Sequence, residues 1–266
     1  MSEGGTPWTL VLSSAPPAIL AAARAADQRG LAAVGFWDHY HSEQPEWAYV
    51  CGWSAYGAIA ASTERIGLVP MVLCRLNYTL GVLAKESAVL SIASGGRFEL
   101  SIGAGDYPAE YTAWHQPFPD ASERIGALGE TIAALRELWR GGAVTYSGEH
   151  VQLTNAACTP VPPVAPRVVV GVGGSRRLIA SAVAYADELN VYADEQVWRF
   201  AHEQVAQSGR AVDLSVFLDW GKWPDDMNAE LATWQAGGAT RAFITIGWHS
   251  DLVDRVHRIA DAVEPS

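Results

Sequence analysis

The sequence predicts an α/β protein that folds as one (β/α)8 TIM barrel, a single domain over residues 1–266. Apolar, strand-like runs alternate with helical patterns eight times, beginning near residues 8, 33, 66, 98, 167, 189, 213 and 241. The composition, 49% apolar and 18% charged, suits a globular chain with a large core. Such alternation is typical of parallel sheets, and eight units favour a barrel over the alternative, a doubly wound open sheet.

Four units occupy the first half of the chain. Their strands are expected at residues 8–13, 33–37, 66–73 and 98–102, and their helices at about 18–30, 47–62, 81–94 and 122–140. Gly30 is a candidate end of the first helix. The fourth helix has the clearest pattern, because its apolar residues recur every three or four positions: Ile125, Leu128, Ile132, Leu135 and Trp139. Ser122 precedes this stripe as a candidate cap, and Gly141-Gly142 follows it.

The second half repeats the pattern with strands expected at 167–172, 189–192, 213–218 and 241–246. The run RVVVGV is continuously apolar, as in a strand buried on both faces. Between strands 4 and 5 we expect a short excursion within the domain, with hairpin character around Ser147-Gly148 and then the proline-rich TPVPPVAP. Neither Gly103-x-Gly105 nor Gly171-x-Gly173 completes the dinucleotide motif that would favour the open sheet.

Charge and composition exclude several classes of protein. A net charge of -11 argues against a surface for nucleic acid or anionic membrane. No apolar run approaches the length of a membrane span, and the first residues lack the features of a signal peptide. The cysteines Cys51, Cys74 and Cys158 form neither a disulfide framework nor a zinc pattern. We therefore expect a soluble, cytoplasmic protein.

In a barrel, functional residues follow the carboxyl ends of the strands. These positions hold Asp38-His39-Tyr40-His41, Val72-Leu73-Cys74-Arg75, Gly103-Ala104-Gly105-Asp106, Gly171 to Ser175, Asp219-Trp220 and Gly247-Trp248-His249. Trp37, Trp220, Trp223 and Trp248 are candidates for the wall of an apolar pocket. Pro70 inside strand 3 indicates a bulge, since proline cannot donate to a ladder.

Each candidate has more than one interpretation. Gly173, Gly174 and Ser175, with Arg176 and Arg177 following, suit a phosphate, or else form an ordinary turn with Ser175 as a helix cap. His39 suits a general acid/base or a hydrogen-bond donor better than a metal ligand. A metal site would pair His39 with His41 and draw on His249 and Asp106. Asp106 is either a rim carboxylate beside small residues or a solvated loop acid.

Several motifs together resemble a known family. SGGRFELSIGAGD, followed by PFPDASERIGALGETIAALRELW, resembles the bacterial luciferase-like monooxygenases and their deazaflavin-dependent relatives, the coenzyme F420-dependent oxidoreductases. STERIGLV, VLAKESAVLSIASGGRF, VGFWDHYH and PRVVVGVGGSRRLIASAVAYADELN fit the same family in the same chain order, and the resemblance covers roughly residues 30–192.

The resemblance implies a single luciferase-like (β/α)8 barrel, commonly a homodimer, that binds coenzyme F420, or alternatively FMN, at the carboxyl rim. It implies that His39 lies near the substrate, and that Asp106 stands where deazaflavin-dependent dehydrogenases carry a proton-handling glutamate. Around Val69-Pro70-Met71 relatives often carry a cis non-proline peptide behind the cofactor ring. The cofactor-binding residues so implied are Asp38, Val69, Pro70, Met71, Leu73, Gly103, Ala104, Gly105, Gly171, Gly173, Gly174, Ser175 and Arg176.

The sequence departs from its relatives at several positions. Pro70 stands where a small residue is usual, Asp106 is one methylene shorter than the glutamate, Asn77 replaces a common arginine and Glu188 a common glycine. The loop after strand 7 is short, which predicts a site more open than is usual, or one closed by a dimer partner. No lysine cluster suits a phosphorylated sugar.

The leading hypothesis is an oxidoreductase that moves a hydride between F420 and a small, largely apolar substrate. The alternatives are an FMN-dependent luciferase-like monooxygenase and a non-catalytic flavin-binding homologue. In the leading hypothesis His39 exchanges a proton with the substrate and Asp106 tunes the ring, both without a metal. The expected partners are a small molecule and a second copy of the chain, with no nucleic acid and no membrane.

Overall fold

The computed structural model describes residues 6–14, 16–43, 52–218, 225–248 and 251–263. Within them, nine strands form one sheet in the order β3-β2-β1-β11-β10-β9-β8-β5-β4, and each neighbouring pair is parallel. These strands are β1 Thr6–Ser13, β2 Leu31–Gly35, β3 Gly67–Leu68, β4 Leu73–Cys74, β5 Leu100–Gly103, β8 Val168–Gly173, β9 Glu188–Tyr192, β10 Asp213–Leu218 and β11 Arg241–Trp248. An α/β fold with a parallel sheet is therefore confirmed.

Helices follow most of the strands along the chain. They are α1 Pro16–Gln28, α2 Trp53–Ser62, α3 Leu80–Ala93, α4 Pro108–Ala113, α5 Ala121–Arg140, α6 Arg176–Ala182, α7 Glu195–Ser208, α8 Met227–Ala236 and α9 Leu252–Val263, with a short 3-10 turn at Arg75–Asn77. Between α5 and β8 the chain forms an antiparallel hairpin of β6 Val144–Ser147 and β7 Gln152–Ala156. In the part of the chain described, no helix has both the length and the apolar character that a membrane crossing requires.

The third predicted strand is two short strands instead of one. β3 pairs with β2, β4 pairs with β5, and between them the Met71-Val72 peptide is cis, one residue beyond the predicted Val69-Pro70-Met71 position. Val69 and Met71 still donate backbone hydrogen bonds to Val34 and Phe36. Pro70, which has no N–H, lies between these two donors, so the chain stays attached to β2 without forming a regular ladder.

Helix ends differ from the prediction at two places. Asp120, not Ser122, caps α5, because its carboxylate accepts the N–H groups of Ser122 and Glu123 at 2.7 and 3.0 Å. The second helix begins at Trp53 after the non-helical Gly52, and the predicted earlier part, residues 47–51, lies outside the described residues. Gly30 follows α1 with a φ of +69°, as its predicted role requires.

Opposite faces of the sheet pack into two cores. Val11, Ala33, Val69, Met71, Val169, Phe217 and Phe243 form the smaller core inside the curled sheet, and the larger one lies between the sheet and the helices. At the amino ends of the strands, buried Glu188 is held by Arg241 and Arg167. Burial opposes ionisation, but the two guanidinium groups keep the pKa of Glu188 below its ordinary value.

Candidate active site

A cavity of about 320 Å³ lies where the carboxyl ends of β2, β4, β5, β8, β9 and β10 meet. Most predicted site residues line it: Asp38, His39, Met71, Gly103, Ala104, Gly105, Asp106, Gly171, Gly173, Gly174 and Ser175. Parallel strands present their carboxyl ends at one edge, which is why residues far apart in the chain meet there. The volume is within the range of about 300–1,000 Å³ that is ordinary for small-molecule sites.

Four predicted site residues do not line the cavity. Val69, Pro70 and Leu73 are buried in the wall behind it. The guanidinium of Arg176 lies over the Phe200 ring of α7, 5.2 Å from its centroid. These four residues therefore do not face the cavity.

His39 is paired with a buried acid that the sequence did not indicate. Its Nδ1 lies 2.9 Å from Oε2 of Glu110, a residue only 3% exposed. The other oxygen, Oε1, accepts the backbone N–H of Tyr40 at 2.6 Å. The edge of the His39 ring contacts Tyr107, with ring centroids 5.5 Å apart. The ring is therefore held in one orientation from two directions.

Asp38 is buried, and its carboxylate accepts hydrogen bonds from three groups of the protein. Its carboxylate accepts the Tyr78 hydroxyl at 2.6 Å, the Cys74 N–H at 2.8 Å and the Asn77 amide at 3.2 Å. Burial raises the pKa of Asp38, and these donors only partly offset that effect. Asp38 thus anchors the turn after β4 as well as lining the cavity.

Asp106 is exposed at the mouth of the cavity, and no hydrogen bond or ion pair is found for it among the described residues. In the same segment after β5, the acid that lies in a protected environment is Glu110, four residues later. Burial beside a specific partner in a cleft is a feature that can mark a functional carboxylate. After β5 the structure therefore distinguishes two acids, Asp106 and Glu110, where the sequence suggested Asp106 alone.

A chain of polar groups runs along the wall from Cys74. The Tyr111 hydroxyl donates to Oδ1 of Asn77 at 2.6 Å, so the Cys74 thiol, 2.9 Å away, donates to the tyrosine oxygen. Burial raises the pKa of the Cys74 thiol to about 11. The thiol is consequently protonated at neutral pH and serves as a weak donor, not as a nucleophile.

Glycines at the cavity floor make room for Val72. A Cβ atom at Gly171 would lie 2.6 Å from Val72 Cγ1, and one at Gly103 would lie 2.9 Å from Val72 Cγ2. The Val72 side chain, together with Met71, thus forms an apolar floor between β5 and β8. The family resemblance implied that these glycines bind the cofactor, but here they first admit a side chain.

Aromatic side chains form one wall. Trp37, one of the tryptophans expected at the rim, packs edge-on against Phe217 with centroids 5.7 Å apart. Tyr192 is tilted against the same Phe217 ring. Of the other rim candidates, Asp219, Trp220, Trp223 and His249 fall outside the described residues, as does the side chain of Trp248.

The interpretations of Ser175 and His41 also have structural outcomes. Ser175 faces the cavity and its hydroxyl accepts the Leu178 N–H at 3.3 Å, so it caps α6. His41 does not line the cavity. Among residues that the structure describes, no three His, Cys, Asp or Glu side chains are grouped as a metal would require.

The lining residues that the sequence missed come from several elements: Tyr107, Glu110 and Tyr111 in and just before α4, Ala121, Arg124 and Ile125 of α5, Leu178 of α6, Asn190 and Tyr192 of β9, and Phe217 of β10. Pro108 at the first position of α4 was an available helix signal. Six residues are too few for a periodic pattern, so Glu110 appeared only as part of a loop.

Similar proteins share this architecture. A structure of an F420-dependent secondary alcohol dehydrogenase aligns with a TM-score of 0.84 at 16% identity, covering 97% of this chain and 98% of that one. The F420-dependent tetrahydromethanopterin reductase from Methanopyrus kandleri aligns with a TM-score of 0.80 at 16% identity, covering 98% of this chain and 99% of that one. At such identities the likeness establishes the fold alone.

Sequence relatives and the family model add to this likeness. An F420-dependent glucose-6-phosphate dehydrogenase from Mycobacterium avium (strain 104) is 30% identical over 60% of this chain and 48% of its own length. One from Nocardia farcinica (strain IFM 10152) is 27% identical over 78% of this chain and 64% of its own length. The chain thus spans about half to just under two thirds of these relatives. A family model described as luciferase-like monooxygenase matches residues 4–259, and the chain therefore belongs to that family.

Proposed function

We propose that this protein is an oxidoreductase that transfers a hydride between coenzyme F420 and a small, largely apolar alcohol or the corresponding carbonyl compound. The observation that carries the proposal is the buried Glu110–His39 pair at the aromatic wall of the cavity. Removing hydride from an alcohol requires a base for the hydroxyl proton, and a histidine held by a carboxylate is suited to that task. The similarity to F420-dependent dehydrogenases supports the cofactor assignment.

The cavity residues are compatible with F420. Ala104, Gly105, Gly173 and Gly174 present little side chain of their own to the cavity, so a flat ring system and its phosphate could approach the backbone there, while Gly103 and Gly171 admit Val72 to the floor beneath. We assign the ring to the segment Gly103-Ala104-Gly105, with Asp38, Met71 and the buried Val69, Pro70 and Leu73 in support. Gly173, Gly174 and Ser175, with Arg176 nearby, are assigned to the phosphate. When bound, F420 supplies a ring carbon that accepts or gives a hydride.

Two side chains are assigned roles in proton handling. We assign His39 the exchange of a proton with the substrate oxygen. We retain Asp106 as a rim carboxylate that influences the charge around the bound ring, since it faces the cavity from an exposed position. The two assignments do not conflict, because Asp106 is exposed at the mouth of the cavity, whereas His39 is held by the buried Glu110.

The wall of the cavity favours an uncharged substrate. Trp37, Phe217, Met71 and Val72 present apolar surface, and among the described lining residues Arg124 is the only lysine or arginine. The Arg124 guanidinium is stacked over Phe118 and donates to the Gly105 and Pro119 carbonyl oxygens. This arrangement is poorly suited to a sugar phosphate, the substrate named for the Mycobacterium avium relative.

The direct test is to titrate the protein with F420 and, separately, with FMN, following absorbance and fluorescence. We expect F420 to bind and to be reduced by members of a panel of small secondary alcohols. His39→Ala should retain F420 binding and lose turnover. Binding of FMN without F420 would contradict the proposal and favour a monooxygenase, and F420 binding without turnover of any alcohol would favour a non-catalytic homologue.

We further propose that the main sheet closes as a (β/α)8 barrel in a single domain of residues 1–266, with the β6–β7 region as its excursion. In support of closure, Leu68 of β3 forms a parallel bridge with Phe98, just before β5. Leu68 also donates to the Arg97 carbonyl and accepts from the Glu99 N–H, both at 3.0 Å. These contacts join β3, at one end of the strand order, to the residues just before β5, which lies next to the other end.

A homodimer is proposed from the surface of α3. Val82, Val89 and Ile92 are each at least 40% exposed and share one face of that helix. Val89→Asp should therefore convert a dimer into a monomer in sedimentation velocity, and a monomeric wild-type protein would contradict the assignment. We also propose a cytoplasmic location, since Cys74 and Cys158 are free thiols; cell fractionation tests this.

A further inference from the structure

Glu110 joins two segments of the cavity rim that are distant in the chain. It lies in the first turn of α4, after β5, while His39 and Tyr40 follow β2, 71 and 70 residues earlier. The side chain of Glu110 is 4% exposed and uses one oxygen for each of these residues. An acid so buried is rarely kept unless its charge is paired or used.

The hydrogen bond between Nδ1 and Oε2 determines which nitrogen of His39 carries its proton. A carboxylate accepts hydrogen bonds and, when ionised, cannot donate them, so the neutral imidazole must present Nδ1–H to Oε2. Nε2 of the neutral ring is then an acceptor and has the capacity to take a proton. The carboxylate also stabilises the imidazolium that forms when Nε2 is protonated.

We propose that Glu110 is the positioning residue for His39: it fixes the Nδ1–H tautomer and the ring orientation, so that Nε2 exchanges the proton with the substrate. This inference rests on the proposed function for the identity of the proton donor, but the tautomer itself is a property of the protein without cofactor. Asp106 has no contact with His39 among the described hydrogen bonds and ion pairs, so it does not perform this task.

The alternative is that Glu110 only ties the two rim segments together. Glu110→Gln separates the alternatives, because an amide preserves the shape and the number of hydrogen bonds. The Tyr40 N–H needs an acceptor, so the amide oxygen takes the place of Oε1 and the NH2 group faces Nδ1. Nδ1 must then accept, and the proton of the neutral ring moves to Nε2. A role confined to tying the segments together predicts that kcat survives this change of tautomer, whereas a positioning role predicts that kcat falls.

The experiment begins with protein labelled with 15N at histidine and free of cofactor. Two-bond 1H–15N correlation spectra distinguish the two tautomers, and the His39 signals are assigned by their loss in His39→Gln. We expect the neutral His39 ring to be the Nδ1–H tautomer in the wild type and the Nε2–H tautomer in Glu110→Gln. Glu137→Gln is the matched control, since Glu137 pairs with Arg140 on the surface of α5.

Kinetics with F420 and an accepted alcohol give the second measurement. Loss of a carboxylate that orients an active imidazole should lower kcat about 10- to 100-fold and change KM by less than about threefold. A wild-type His39 in the Nε2–H tautomer would overturn the inference even if no variant folds. So would a Glu110→Gln protein with an unchanged tautomer or an unchanged kcat. Failure to bind F420 would overturn only the proposed function.

Discussion

The Tyr78 hydroxyl donates a 2.6 Å hydrogen bond to the buried carboxylate of Asp38. This contact joins the segment after β4 to the residue that precedes His39. Because burial raises the pKa of Asp38, each donor to this carboxylate stabilises its ionised form. The orientation of the segment after β2 thus depends on hydrogen-bond donors at the end of β4 and in the segment after it.

Tyr78→Phe removes one of these donors. A hydrogen bond to a charged group typically contributes about 1.5–3 kcal/mol, so we expect the free energy of unfolding in urea at pH 7 to fall by about that amount. Tyr146→Phe is the control, since no hydrogen bond is found for that hydroxyl among the described residues. Equal stabilities for the two variants would show that Asp38 does not depend on the Tyr78 hydroxyl.

The close packing of Gly35 against Val69 of the third strand predicts a second effect on stability. A Cβ atom at Gly35 would lie 1.9 Å from the Val69 carbonyl oxygen, so Gly35→Ala must displace the backbone behind the cavity. We expect a loss of more than about 2 kcal/mol in unfolding free energy, in keeping with severe overpacking. Gly81→Ala, at an exposed helical glycine with open space around it, should be neutral or stabilising. A Gly35→Ala protein as stable as Gly81→Ala would contradict this packing.

The periodicity of the sequence predicts the repeated strands and helices, but it does not predict contacts between individual side chains. Alternation of strands and helices was sufficient to place His39, Asp106 and Gly173 in one cavity, because parallel strands share a carboxyl edge. The pairing of His39 with Glu110 was not accessible, since it joins residues 71 positions apart through a helix of six residues. Pro70 indicated an irregularity in strand 3, but its division depends on pairing with β2 on one side and β5 on the other, which periodicity does not describe.

Glu188 predicts how stability depends on pH. Its pKa is lower in the folded protein than in the unfolded chain, where glutamate titrates near its ordinary value of about 4.3. The stabilisation is therefore present above that value and is lost as the pH falls through the folded pKa. Glu188→Gln leaves Arg241 and Arg167 without this buried partner and should cost about 3 kcal/mol at pH 7.

The measurement is urea unfolding of wild type and Glu188→Gln at several pH values from 7 downward. The difference between the two proteins should be largest at pH 7 and should shrink as Glu188 of the wild type becomes protonated. Glu137→Gln, which alters an exposed pair, should show little difference at any pH. A constant difference across the range would mean that the cluster does not depend on the charge of Glu188.

Trp37 tests the proposed preference for apolar substrates. Its ring lines the cavity against Phe217, so Trp37→Ala removes a large part of the apolar wall. In the proposed function Trp37 contacts the substrate but not the proton that His39 exchanges. We therefore expect KM for small alcohols to rise about tenfold while kcat changes less. The larger cavity should accept bulkier alcohols better than the wild type does. Trp114→Ala, at a tryptophan that is 58% exposed and does not line the cavity, provides the control. A fall in kcat with unchanged KM would place Trp37 in the chemical step and contradict a role confined to substrate binding.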